Sequence, residues 1–365
     1  MMESTGALEL LRARALGFFT PRPGRRPAPR QAGNLVEEFR PDHTALAMLG
    51  LTEDRVVRVE RCASRRVVLM VELADGSACL VKFPDTDTEL DNDYERVVLG
   101  MLADLELTPR ARQAVPRLVA AGGGTRAIAL DVIKDCDSLR ELTQRDPEVD
   151  VRHLVNLAAA LVDLHQAPVQ DAYRRFPEWL LHPPVPMTTR LTPYEYAHGA
   201  GLDFDIYLRV MQELEGHFRE LHAQWRPDTI VHYDLRDDNI LFPRDPGADC
   251  VVRLIDWELA GFGDPCYDVG YLVGQFLVES VRRHGDAEAL DTARRNARTF
   301  LSAYRSLSGI TGDMELRVLR YAGVSLLLQA AMRLQQLGML TQVGHLCLLY
   351  GKRLIADPTL KVIMK

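Results

Sequence analysis

No CxxC pair occurs anywhere in the 365 residues, and the six cysteines, at positions 62, 79, 136, 250, 266 and 347, are scattered. That pattern signals neither a zinc ribbon nor a disulfide framework, so reduced thiols are expected. Long apolar runs are missing too, because Arg or Asp interrupts each candidate before it could span a bilayer. The first residues, MMESTGALELLRARALGFF, lack the order of a secretory signal. A cytoplasmic chain with no membrane partner is the expectation. An excess of positive charge is absent as well: 44 Lys and Arg stand against 51 Asp and Glu, a formal net charge of -7. That balance argues against a nucleic-acid partner. No internal repeat is visible.

What is present is an ordinary globular composition, 47% apolar and 26% charged, on a chain long enough for two lobes or one large α/β unit. Residues 1–40 form an N-terminal extension, partly flexible, whose TPRPGRRPAPR stretch reads as a tether. Its four arginines are a candidate contact for a protein partner. A short helix from Asp42 to Leu49, capped by Asp42, comes next. The periodicity then drops to two through DRVVRVERC, RRVVLMVELADG and SACLVKF, which predicts three antiparallel strands with a tight turn at Asp75-Gly76. Tyr94, Val97, Val98, Met101 and Leu102 mark one side of a helix, with Glu95 beside that face. PRLVAAGGGTRAIALDVI reads as two further strands. After Ile133 the composition turns helical. The predicted division is therefore a small, strand-dominated lobe over 41–133 and a large helical lobe over 134–365. Within the second, VRHLVNLAAALVDLHQ is an amphipathic helix, and an apolar stripe predicts one long helix from Leu202 to Gln224.

Against that background IVHYDLRDDNILF, residues 230–242, is unusually polar for a segment set between apolar runs. Ile240, Leu241 and Phe242 would start a strand, RDPGADC a hairpin loop, and Val251 to Ile255 its return. Asn239 and Asp256 then arrive at the same end of a two-stranded ribbon. An amide oxygen and a carboxylate oxygen there suit a hard cation such as Mg²⁺. Asp234, in the preceding loop, is placed to accept a proton from an alcohol. Any one of these residues alone is more simply a cap or a surface group. A buried carboxylate, however, needs a partner, and three converging oxygens would repel one another without a cation.

HYDLRDDNILF followed by LIDWELAGFGDPCYD resembles the aminoglycoside phosphotransferase and choline kinase family, relatives of the protein kinases. The resemblance runs from about Val56 to the last helices. It implies an α+β, bilobal, protein-kinase-like fold, with a small antiparallel-sheet N-lobe and a large, mostly helical C-lobe. It also implies ATP and Mg²⁺ as cofactors and γ-phosphoryl transfer to a hydroxyl. On the matching positions, Asp234 would be the catalytic base, and Asn239 and Asp256 would be the metal ligands. His232 would brace the loop, and Arg236 would clamp charge near the transferring phosphate or else face Asp237 or Asp238. Lys82 in CLVKF would reach the α and β phosphates with Glu95 as its partner, and the chain from Asp131 to Ile133 would offer backbone groups to adenine. Asp268 is expected to cap the helix VGYLVGQFL, and Asp264 to tie loops together.

Two departures stand out. The nucleotide-covering turn RCASRR has no glycine, leaving the Ser64 hydroxyl to donate a hydrogen bond to a phosphate, and Tyr233 occupies a position where the family more usually has glycine. The acceptor is less constrained. Residues 170–200 carry Asp171, Glu178 and Glu195 against Arg174, Arg175 and Arg190, which does not favour a highly cationic antibiotic. A hydroxylated small molecule fits. So does Ser or Thr of a biosynthetic precursor peptide, since WRPD at 225–228, together with DLR at 234–236 and DWEL at 256–259, resembles kinase-like members of peptide-modifying gene sets. The alternative is a catalytically weak, nucleotide-binding pseudokinase serving as a partner-binding subunit. Its motive is the glycine-free turn and the Arg/Pro-rich leader.

Overall fold

The structure is a computed structural model that describes residues 43–62, 67–83, 91–121, 127–175, 202–244, 251–282, 287–309 and 312–358. The proposed Asp42 cap, Ser64 and the N-terminal extension lie outside them. Helix α1 (His43–Met48) leads into strands β1 (Val56–Arg61), β2 (Val68–Leu73) and β3 (Ala78–Lys82), followed by helices α2 (Asp91–Asp104) and α3 (Pro109–Ala114). Strands β4 (Leu118–Ala121) and β5 (Ile128–Asp131) complete a five-stranded antiparallel sheet in the order β1-β2-β3-β5-β4. The β2–β3 turn closes through Gly76 N–H to Leu73 O at 2.9 Å, with Gly76 at φ 82°, a left-handed conformation that costs glycine nothing.

Alternation along these strands gives the sheet two apolar faces. Leu69, Val71, Val81 and Ala129 pack with Leu46 of α1 and Leu49 just after it, whereas Ile128 and Leu130 join the larger core with Val98, Met101 and Leu102 of α2. The helix face read from the sequence is therefore the buried one, and Glu95 lies within it, fully buried.

Beyond Asp131 the chain leaves this sheet. Strand β6 (Cys136–Ser138) pairs instead with β8 (Ile240–Pro243), which pairs with β9 (Arg253–Leu254). Between them run α4 (Leu139–Arg145), α5 (Val151–His165), α6 (Gln170–Arg175), α7 (Leu202–Glu213), α8 (Glu215–Ala223) and β7 (Thr229–Val231). The single helix expected from Leu202 to Gln224 is broken at Leu214. There the amide is shared between the Val210 and Met211 carbonyls, at 3.1 and 3.2 Å, two residues before Gly216 weakens the next turn. The apolar stripe survives the break, since Tyr207, Met211, Leu214, Phe218 and Leu221 are all buried.

A short 3₁₀ turn (Trp257–Leu259) and β10 (Gly261–Gly263) precede four helices, α9 (Pro265–Arg282), α10 (Ala287–Ser308), α11 (Gly312–Leu337) and α12 (Gln342–Ala356). Helix α9 is buried nearly all round, as a helix apolar on every side must be, with α10, α11 and α12 packed about it. The whole is an α+β, bilobal, protein-kinase-like fold: a small antiparallel-sheet lobe followed by a larger, mostly helical one. None of the described cysteines is in a disulfide. No helix among the described residues is long and apolar enough to cross a membrane.

Candidate active site

The polar loop between β7 and β8 is held by backbone accounting. Strand β7 is only three residues long, but all three pair with β10, Val231 opposite Gly261 and Thr229 opposite Gly263. That fixes where His232 begins. The N–H groups of His232 and Tyr233 then point at Asp268, donating to Oδ2 at 2.8 Å and to Oδ1 at 3.0 Å. The expectation that Asp268 caps its own helix is thus corrected. Helix α9 starts at Pro265, one turn earlier than the apolar run suggested, so Asp268 is already inside it. Its buried carboxylate satisfies a different segment's amides. The cap is Asp264, whose Oδ1 accepts from Cys266 N at 2.9 Å. A proline in the first helical position followed by a cap one residue before it is a legible signal. Asp264 also faces the Arg317 guanidinium at 3.4 Å.

His232 lies between two backbone groups. Its Nδ1 accepts from Asp234 N at 3.3 Å and its Nε2 donates to Ile255 O at 3.0 Å, which assigns the neutral Nε2–H tautomer. It therefore ties the loop to the residue before Asp256. Tyr233 takes φ 66° and Asp256 φ 70°, left-handed conformations unusual for residues other than glycine. The Tyr233 ring lies among Trp225, at 6.2 Å between ring centroids, and Tyr267, at 5.0 Å. Gly263 makes the room: a Cβ there would collide with the tyrosine hydroxyl and stand 3.0 Å from Trp225 Cζ2.

Asp234 is 9% exposed. Its Oδ2 accepts from Arg236 Nε at 2.9 Å and from Asn239 Nδ2 at 3.2 Å, while Oδ1 carries no hydrogen bond among the described residues. Burial pushes the carboxyl above its ordinary value and Asp256 adds to this, against the pull of Arg236. The Asn239 amide nitrogen also donates to Asp234 O at 2.8 Å, and the Asn239 carbonyl accepts from Ile255 N at 2.9 Å. With its nitrogen so committed, the side chain has its Oδ1 left over. The hairpin thus brings Asn239 beside Ile255, next to Asp256, as the sequence led one to expect.

From the other lobe, Lys82 Nζ donates to both Glu95 oxygens, at 2.8 and 3.0 Å, and to Asp256 Oδ1 at 2.9 Å. Desolvation alone would lower this ammonium's pKa, but the two carboxylates hold it above its ordinary value. Asp256 Oδ2 also lies 3.9 Å from Arg236 Nη2. Arg236 therefore faces Asp234 and Asp256, not Asp237 or Asp238. Those two acids have partners that the sequence did not reveal: Arg140, at 2.9 and 2.8 Å, and for Asp237 also Arg282, at 3.1 Å.

Asp131 ends β5 with its side chain occupied, Oδ1 by Arg117 N at 2.6 Å and Oδ2 by Arg253 of β9 at 3.0 Å. Asp131 is in this way tied across the lobes. Ile133, half-buried, follows it on the connecting chain.

A deep acid with one open oxygen, an amide and a carboxylate on a hairpin end, and a lysine anchored by a buried glutamate together make the kind of site found in kinase-like phosphotransferases. A family model described as "Phosphotransferase enzyme family" matches residues 49–310, and the chain belongs to that family. No curated protein sequence matches it. Among solved structures it is similar to a Plasmodium vivax ethanolamine kinase (14% identity, 87% of this chain and 86% of that one, TM-score 0.52). It is likewise similar to aminoglycoside 2'-phosphotransferase-IIIa in its GDP complex (14%, 87% and 98%, TM-score 0.52). A third is a microcompartment-associated aminopropanol kinase (15%, 86% and 94%, TM-score 0.51). At such identities the likeness concerns the fold.

Proposed function

We propose that the chain is an ATP- and Mg²⁺-dependent O-phosphotransferase that moves a γ-phosphoryl group to the hydroxyl of a small molecule. The observation that carries this reading is the convergence of Lys82, of Asp234 and Asn239, and of Asp256 from three separate stretches of sequence onto one polar cluster, Lys82 bonded to Asp256, Asn239 to Asp234, and Arg236 set against both acids.

The donor set fits a magnesium ion. Among the described residues no group of three or more His, Cys, Asp or Glu side chains could hold a metal. Mg²⁺ in phosphoryl transfer is instead held by one or two protein oxygens, with water and phosphate oxygens completing the shell. Asn239 Oδ1 and the Asp256 carboxylate are those two. Bound there, the ion supplies neutralisation of charge on the phosphates. The chain's own residues do the rest. Lys82, fixed by Glu95, offers a cation to the nucleotide phosphates and keeps Asp256 oriented. Arg236 holds Asp234 Oδ2 and leaves Oδ1 for the acceptor hydroxyl, which it orients and from which it takes the proton as the O–P bond forms. Because the transition state is loose, placement of that hydroxyl matters more than the strength of the base. The residues from Asp131 to Ile133 offer backbone groups to the base of the nucleotide, and the lobes divide near Ile133.

A peptide acceptor has less support. The WRPD segment that motivated it serves packing: Trp225 stacks against Tyr233 and Tyr321.

The test is ADP release with mass detection of the product. A gain of one phosphoryl group on a hydroxyl is expected, and it is lost in Asp234→Ala. Equal turnover by wild type and Asp234→Ala overturns the assignment of the base.

A further inference from the structure

Beside the Asp234 loop an open pocket of about 430 Å³ is lined by Arg140 and Gln144 of α4 and by Glu279 and Arg282 at the end of α9. Both arginines are anchored from behind by the same buried acid. Arg140 donates to Asp237 through Nε at 3.1 Å and Nη2 at 2.9 Å, and Arg282 through Nη1 at 3.1 Å. Anchoring a guanidinium by one edge fixes its plane and leaves its other N–H groups presented. Among the described residues Arg140 Nη1 and Arg282 Nη2 make no hydrogen bond.

The other acids nearby are weaker partners. Asp238 lies 2.8 Å from Arg140 Nη2 but is half-exposed, and Glu279 meets Arg282 at 3.5 Å across one helical turn. A third cation, Arg333 of α11, hydrogen-bonds Gln329 of its own helix, at 3.2 and 3.1 Å, and no other group among the described residues. Burial and then Arg282 press its pKa below the ordinary value, so it would gain from an anion close by. Gln329 in turn hydrogen-bonds the Tyr271 hydroxyl, which stands in the field of Asp234 and Arg236. The cavity is thereby linked to the Asp234 site by packed side chains on one side and by Asp237, three residues along the same loop, on the other.

We propose that this cavity binds an anionic oxyacid group, a carboxylate or a phosphate, and so selects an acceptor alcohol that carries one. The word acceptor rests on the phosphotransferase reading; the anion site does not. The inference sets this chain apart from the ethanolamine and aminopropanol kinases whose fold it shares, because an ammonium group would meet two arginines here.

Isothermal titration of inorganic phosphate, and separately of acetate, into the full chain saturated with a non-hydrolysable ATP analogue and Mg²⁺ tests it, the analogue keeping the α, β and γ phosphate positions filled. At least one anion is expected to bind, and which one binds identifies the group. Arg282→Gln and Gln144→Glu should each weaken that binding about tenfold or more, the loss of one charge-assisted hydrogen bond or the gain of one repulsion. Gln144 is exposed on α4, so its variant tests the site even if Arg282→Gln disturbs folding. Binding of neither anion, or wild-type affinity in Gln144→Glu, overturns the proposal. Anion binding that persists in a protein unable to hold the analogue would instead count against the kinase reading alone.

Discussion

Asp268→Asn changes one oxygen to an NH₂ group and little else, which makes it a sharp probe of how the Asp234 loop is held. In the native protein the two carboxylate oxygens take one backbone N–H each, from His232 and Tyr233. An amide can accept from only one of them and must present a donor to the other. The cost has two parts: a charge-assisted hydrogen bond becomes a neutral one, and a buried N–H loses its partner. Each is on the order of 1–3 kcal/mol, so a total of about 3 kcal/mol is expected. Relaxation would reduce it, since the loop can shift by a few tenths of an ångström. His165 Nε2, 3.5 Å from Asp268 Oδ2, is too long to contribute much. Urea denaturation followed by tryptophan fluorescence and circular dichroism measures the stability loss. ADP release on the same protein should fall by more than tenfold, because the loop carries Asp234. A variant within about 0.5 kcal/mol of wild type, the range of an ordinary surface change, with full turnover, would refute the loop-anchoring argument.

Other outcomes follow from the same geometry. Gly263→Ala should destabilise by about 1–3 kcal/mol through overpacking, and Tyr233→Phe, which removes the colliding hydroxyl, should recover much of that in the double variant; a calorimetric melting series reads both. Lys82→Met should weaken ATP binding measured by calorimetry and also lower stability by about 3 kcal/mol or more, because Glu95 is then buried and uncompensated. The acid limb of the rate–pH profile should lie above the ordinary carboxylate range near 4, because Asp234 must be ionised to take a proton and burial raises its pKa; a limb at or below that range contradicts it. Asp237 runs the other way. Burial would raise its carboxyl, but Arg140 and Arg282 hold it below the ordinary value. Its contribution is therefore present above the unfolded-state pKa and is lost as pH falls through the lower folded one. Asp237→Asn should cost about 1–3 kcal/mol near neutrality, and the difference from wild type should close in acid.

How far the sequence could be read depended on the range of the interaction concerned. Period-two alternation and an Asp-Gly pair located β1, β2 and β3, because those features are local. The hairpin logic placed Asn239 by Asp256, since antiparallel return strands align their ends whatever lies in the loop. Lys82 and Glu95 came from resemblance, and the structure joins them. What escaped was contact between distant segments. Nothing near Asp237 announces Arg140 or Arg282, which arrive from separate helices. The β7–β10 pairing joins two three-residue strands too short to show any period. The exchanged roles of Asp264 and Asp268 were recoverable, since Pro265 marks the first helical position. The break at Leu214 has only Gly216 to betray it. Ser64 and the extension lie outside the described residues.

Calorimetry with ATP in the presence and absence of Mg²⁺, on wild type and on Asp256→Ala, addresses the shared-ion arrangement without requiring that the acceptor be known. ATP binding that depends strongly on Mg²⁺ in wild type, and loses that dependence in Asp256→Ala, is the predicted result. Equal ATP affinity with and without the ion in wild type would contradict it.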